Sequence, residues 1–211
     1  MARPDFGSPS AASFPDFKAA RTYAIGRLER ELSPALCYHS IAHTCDDVVP
    51  AAERIAAAEG VTGEALLLLR TASYFHDIGF VERREDHEVI GARIVTEVLP
   101  GFGYDQAQIV EIVGMIMATR LPQSPQTHLQ QIMADADLDV LGRPDFLAVN
   151  NCLRVELAQA GMPASDADWY RVQLRFLRGH HYWTSAAKAL REEQKLRNIA
   201  VLEQMLASTQ R

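Results

Sequence analysis

Apolar residues recur at intervals of three and four through nearly the whole chain, and the strict alternation that marks a half-buried strand is almost absent. Proline and glycine cut this periodicity into segments. The spacing predicts a helix over 17–32, closed by Ser33-Pro34. A second is expected over 43–58, where Pro50 should kink the helix or delay its start because it brings no backbone N–H. Residues 62–77, "TGEALLLLRTASYFHD", open on Thr62 as a cap and set Leu66, Leu69, Ala72, Ser73 and His76 on one stripe. That segment reads as a core helix with His76 at its inward end. Further helices follow over 87–99, 105–119, 127–141, 145–160, 166–178 and 185–207. The last carries charge on one face and apolar residues on the other, as a helix packed on the body does. The fold class is therefore all-α, a single-domain bundle of roughly eight to ten helices over 15–211. Residues 1–14 hold Pro, Gly and Ser without helical periodicity and read as a mobile N-terminal arm.

Composition narrows the function more than the fold. With 48% hydrophobic residues in 211, the chain can bury one sizeable core. Its formal net charge of −6 argues against an extended nucleic-acid partner, since tracking phosphates needs an excess of Lys and Arg on one face. A small anionic substrate at a local site stays open. The most apolar stretch, "EALLLLRTASYF", is broken by Arg70 and far too short for a bilayer span, so no membrane partner is expected. The N-terminus lacks the apolar core of a secretory signal. Cys37, Cys45 and Cys152 are odd in number and show no CxxC spacing. They argue against a disulfide framework and a structural zinc knuckle, and fit a reducing cytoplasm.

The chemistry is concentrated in four short segments. "SYFHDIGF", 73–80, sets His76 beside Asp77 where the neighbours are apolar, and an isolated charge is costly to bury unless it is hydrogen-bonded or bound to a metal. "YHSIAH" adds His39 and His43, one helical turn apart; "EDHE" adds His87; "MADADLD" adds Asp135 and Asp137. Imidazole and carboxylate together suit borderline divalent cations. Singly, each of these is more often a hydrogen-bonded structural residue, and it is their order along the chain that carries meaning. Asp135 and Asp137 are two apart, so a helix turns them about 200° from each other and one alone can face a site.

That order, H…HD…D with a glycine after the His-Asp pair, resembles the HD superfamily of metal-dependent phosphohydrolases over roughly residues 36–142. The resemblance implies an HD-type bundle whose helices over about 145–207 cover the motif-bearing core. It implies one divalent transition metal (Mn, Fe, Co, Ni or Zn) held by His43, His76, Asp77 and one aspartate of the "DAD" run, Asp135 or Asp137, with Asp135 the preferred of the two. In such proteins the metal lowers the pKa of water for attack on phosphorus, with His39 as the acid for the leaving oxygen and Asp77 essential to catalysis. His87 and Arg120 are candidate substrate-binding residues; Arg83 and Arg84 read as solvated surface, although a phosphate needs cationic donors. The expected partner is a small phosphorylated metabolite or nucleotide.

Two other readings accompany the hydrolase. An HD-type di-iron oxygenase would need a further histidine where "VGMIMATR" has Met117, Ala118 and Thr119, unless His128 substitutes. A non-catalytic nucleotide-binding module is the third. His180 and His181 fit a helix C-terminus, where a protonated imidazole favours the negative end of the dipole, in preference to the rim of the site.

Overall fold

The computed structural model describes residues 15–159, 161 and 165–209, which form nine α-helices and no strand; the arm expected over 1–14 lies outside the described residues. Helix α1 (Phe17–Glu31) starts where the Asp16 carboxylate accepts the Ala19 N–H at 2.9 Å, and buries Ala20, Ala24 and Leu28. It ends one residue before Ser33-Pro34, as proline requires. The next helix departs from the simple expectation. His43–Val48 winds as a wider π-helical turn running straight into α2 (Val49–Ala58), with Pro50 in the first turn of α2. The interruption expected at Pro50 thus takes the form of the wide turn ahead of it, at a position that carries His43.

Helix α3 (Gly63–Phe75) is the central element, with Leu69, Ala72, Ser73 and Phe75 at 0% exposure, and α1, α2, α5 and α6 packed around it. Removing a side chain such as Leu69 or Phe75 from water contributes about 1.5–3 kcal/mol. A short 3₁₀ turn (Ile78–Val81) leads from it to α4 (His87–Val98), and a second (Leu99–Phe102) leads to α5 (Gln106–Ala118). The expected helix over 127–141 is two pieces, α6 (His128–Asp137) and a 3₁₀ turn (Asp139–Gly142), joined at Leu138. Then come α7 (Phe146–Gln159), α8 (Asp166–Gly179) and α9 (Ser185–Ser208).

The apolar residues fall into two clusters. The larger is built mainly by α1 to α6 around Ile55, Leu69, Phe75, Ile112 and Met115, with Tyr182, Ala186 and Ala187 added from the start of α9 and the segment before it. The smaller gathers Leu138, Val140, Leu141, Phe146, Leu174, Leu177 and Leu202 under α7, α8 and α9. Gly142 permits α9 to lie directly on the connecting 3₁₀ turn: a Cβ there would sit 2.4 Å from the Arg191 carbonyl oxygen. The Asn198 amide donates to the Leu141 and Arg143 carbonyls, both at 2.9 Å, and pins the same contact.

One expectation is corrected. Cys37 and Cys152 form a disulfide, with Cα atoms 5.2 Å apart, across a sequence separation of 115. Local spacing carries no trace of a pair so far apart, and the argument from cysteine usage to a reducing compartment loses its footing. Cys45 is the free thiol. The disulfide ties the segment before His39 to α7. Among the described residues no helix is long and apolar enough to cross a membrane.

Candidate metal centre

The His-Asp pair sits where α3 stops. His76 still has helical backbone angles, and its Nδ1 lies 2.9 Å from the Ser73 carbonyl, a group that can only accept. Nδ1 therefore carries a proton, which leaves Nε2 as the ring atom that faces the cluster. Asp77 opens the 3₁₀ turn, and two residues on, Gly79 packs against the start of α4; a Cβ there would fall 1.9 Å from the His87 carbonyl oxygen. The glycine after the pair is thus what lets α4 bring His87 beside Asp77. His87 repeats the pattern, with Nδ1 3.0 Å from the Arg84 carbonyl and Nε2 3.5 Å from an Asp77 oxygen and from a Glu88 oxygen.

Three elements converge on one point. His43 Nε2, from the π-helical turn, lies 3.4 Å from Asp137 Oδ1 and 3.7 Å from Asp77 Oδ2. His76 Nε2 lies 3.3 Å from Asp77 Oδ2 and 3.5 Å from Asp137 Oδ1. The ligand atoms of His43, His76 and Asp137 are all within 4.8 Å of one another. The histidines are 4% and 0% exposed, and Asp77 is 6% exposed. His43 Nε2, His76 Nε2 and Asp77 Oδ2 are nonetheless buried without a hydrogen-bond partner among the described residues. Burial lowers the affinity of His76 for a proton, but the Asp77 and Asp137 carboxylates beside it raise its pKa well above the ordinary value. Burial pushes Asp137 up, and the His43 and His76 imidazoles beside it outweigh that and hold the carboxyl at about 2. Positive charge is favoured at this point, and imidazole lone pairs beside carboxylates are the donor set a borderline divalent cation accepts. The residues fit such a metal.

Asp135, the preferred aspartate of the pair, is turned the other way. It accepts the backbone N–H groups of Trp183 and Thr184 and the Thr184 hydroxyl, each at 2.8 Å, and so ties α6 to the start of α9. It is 0% exposed, and burial raises its pKa despite those three donors. The two-residue offset on α6 puts Asp137 among the histidines and Asp135 behind them. The structure therefore seats Asp137 in the cluster, and the preference for Asp135 is corrected.

His39 stands beside this cluster, its ring 6.1 Å from that of His43 and stacked 4.3 Å from Phe80. Its orientation comes from Glu156 on α7, which the sequence reading missed. The Glu156 carboxylate accepts from the Tyr38 N–H (2.9 Å), the His39 N–H (3.1 Å), His39 Nδ1 (2.5 Å) and the Arg84 guanidinium. Burial would raise its pKa, but the His39 and Arg84 donors hold it at about 2. With Nδ1 engaged, His39 keeps Nε2 for other work. A lone glutamate on an amphipathic helix looks solvent-facing, and only its 2% exposure reveals it.

The cluster opens into a cavity of about 490 Å³ lined by Asp77, Asp137, His39 and His87 on one side and by α7 and α8 on the other. Arg120 lines its mouth and pairs with Asp86 at 2.6 Å, and Arg84, expected at the surface, lines it as well. Arg83 donates to the Glu85 carbonyl and stays exposed. Thr119, at the position where a dinuclear centre would need histidine, lines the cavity and donates to the Ile116 carbonyl. His128 is no substitute: it is on the far surface, 3.1 Å from Glu59. His180 does follow the end of α8, yet burial, Lys195 and His181 lower its pKa to about 3, so it is neutral and the expected dipole contact with a cation is absent.

Comparison with known proteins bears on the fold. Residues 45–139 match the HD domain family. A predicted HD superfamily hydrolase from an uncultured Thermotogales bacterium shares the fold at a TM-score of 0.61 and 22% identity, over 92% of this chain and 93% of its own. A Lactobacillus plantarum protein matches at a TM-score of 0.68 and 16% identity, over 95% of this chain and 99% of its own. No curated protein matches the chain.

Proposed function

We propose, on the match of residues 45–139 to the HD domain family, that the chain is a metal-dependent phosphohydrolase of the HD superfamily acting on a phosphate mono- or diester of a nucleotide or related metabolite. One observation carries the reading. Two imidazole nitrogens and two carboxylates, buried without hydrogen-bond partners of their own for three of these atoms, meet at the floor of a cavity large enough for a small metabolite.

His43, His76, Asp77 and Asp137 would hold the metal, which when bound supplies Lewis acidity toward a phosphoryl oxygen and lowers the pKa of water. The remaining steps belong to the chain. The carbonyl of Ser73 fixes His76 in the tautomer that offers Nε2. Glu156 orients His39 through Nδ1, so that Nε2 can hand a proton to the departing oxygen. Arg120 and Arg84 place positive charge at the mouth, where a phosphate enters. Phe80 and Tyr38 pack against the His39 ring and shield it from water.

Elemental analysis beside a phosphate-release screen tests this. About one transition metal per chain, lost together with turnover in Asp77→Ala, is the expected result. Two irons and oxygen consumption would replace it with the oxygenase reading, for which His87 and Glu88 offer donors but Thr119 does not. Full metal content with unchanged turnover in Asp77→Ala would refute it.

A further inference from the structure

The half of the cavity away from the metal cluster is apolar, walled by Leu138, Val140, Leu141, Phe146, Leu157 and Phe176. Two carboxamides interrupt that wall: Asn150 on α7 and Gln173 on α8, each only 5% exposed. The Asn150 Oδ1 is buried with no hydrogen-bond partner among the described residues, and the Gln173 side chain makes no hydrogen bond to a described residue. Neither is needed to cap a helix or to join one element to another. Buried amides elsewhere in this protein are used: Asn198 donates to two carbonyls across the α9 contact. The unmet Asn150 acceptor in an apolar wall is destabilising, and together with a second carboxamide facing the same cavity from another helix it makes sense when a ligand completes it.

We infer that Asn150 and Gln173 read the hydrogen-bonding edge of a flat, uncharged heterocycle, so that the substrate is a monophosphate ester carrying such a group rather than a polyphosphate or an open sugar phosphate. This rests on the hydrolase reading and narrows it. A carboxamide offers a donor and an acceptor side by side, the complement of the adjacent acceptor and donor on a nucleobase. The apolar wall with Phe146 and Phe176 suits the faces of such a ring. The wall also rejects charge. The two guanidiniums that line the cavity, Arg84 and Arg120, are at the mouth and already paired with Glu156 and Asp86, which leaves no cationic cradle for a phosphate chain beyond the metal. A bare ribose phosphate would leave the Asn150 acceptor unmet and Gln173 unused.

The test compares the metal-loaded wild type with Asn150→Leu and Gln173→Leu, near-isosteric apolar replacements that keep the wall packed. Substrates are nucleoside monophosphates, nucleoside triphosphates, ribose 5-phosphate and p-nitrophenyl phosphate, whose ring has no donor–acceptor edge facing away from the ester. The wild type should prefer at least one nucleoside monophosphate over its triphosphate and over ribose 5-phosphate. Each variant should lose roughly tenfold to a hundredfold in kcat/KM on that monophosphate, while p-nitrophenyl phosphate changes less than about twofold. Equal losses on both esters, unchanged kcat/KM on the nucleotide, or a preference for triphosphates would overturn the inference while leaving the hydrolase in place. If the wild type cleaves none of these esters, the hydrolase reading falls, and binding decides the inference. A rise in Tm with nucleoside monophosphate that both variants lose supports it, and no rise in the wild type overturns it.

Discussion

Glu156→Gln tests the electrostatic core of the site with little change in shape. The carboxylate is 2% exposed and accepts from two backbone N–H groups, His39 Nδ1 and the Arg84 guanidinium. Its pKa is held at about 2 against 4.5 for a free glutamate, and at roughly 1.4 kcal/mol per pKa step this is worth about 3 kcal/mol of folding stability near neutral pH. Because the folded pKa is the lower one, the contribution is complete above the unfolded value of 4.5 and fades as the pH falls toward 2. The glutamine variant has no such proton to gain. Wild type and variant should therefore differ by about 3 kcal/mol near pH 7 and by about 2 kcal/mol near pH 3.5.

Urea unfolding of both proteins at the two pH values measures the difference directly, and the other carboxylates cancel between them. A gap below about 1 kcal/mol at neutral pH would refute the claim that a buried charge sits here. A gap that does not narrow in acid would show that the loss comes from shape and not from charge. Turnover adds a second check: with Nδ1 no longer facing a carboxylate, His39 is a weaker acid-base partner, so kcat should fall more than KM rises.

Three further outcomes follow from single contacts. Gly79→Ala places a Cβ 1.9 Å from the His87 carbonyl oxygen, an overlap of backbone atoms, and should cost about 2–4 kcal/mol in urea unfolding while moving His87 out of the site. The two aspartates of α6 should separate cleanly. Asp135→Ala should lose about 2–4 kcal/mol of stability by freeing three donors and yet keep its metal, whereas Asp137→Ala should lose the metal in elemental analysis. Arg120→Ala breaks a pair in which both side chains are half exposed, so Tm should shift by the equivalent of less than about 0.5 kcal/mol while KM for a phosphoester rises.

What the sequence made legible was whatever repeats locally. The 3.6-residue period of apolar positions outlines the helices, since each must bury one stripe. The His-Asp pair stands out because two ionisable groups among apolar neighbours demand an explanation. What it hid was set by rotation and by long range. Whether Asp135 or Asp137 faces the histidines depends on where α6 stops turning, and the break at Leu138 is absent from the periodicity. Glu156, Asn150 and Gln173 lie on helices whose polar residues look like ordinary solvent contacts, and they are buried only because α7 and α8 close over the smaller apolar cluster. The pairing of Cys37 with Cys152 is invisible for the same reason.

The two apolar clusters divide the labour of the site. The candidate metal ligands all come from the body built by α1 to α6, held by contacts such as the Ser73 carbonyl on His76 and the close approach at Gly79. Glu156, Asn150 and Gln173 all come from α7 and α8, which form the opposite wall. Asp135 joins the halves, since one residue of α6 fixes the start of α9 while its neighbour two positions on faces the histidines. A change in α7 or α8 can therefore alter which ester is accepted without disturbing the metal cluster, whereas a change at Asp135 loosens the tie between the halves. That separation explains why the motif residues speak to the chemistry of the site and are silent on its substrate, which has to be read from the cover.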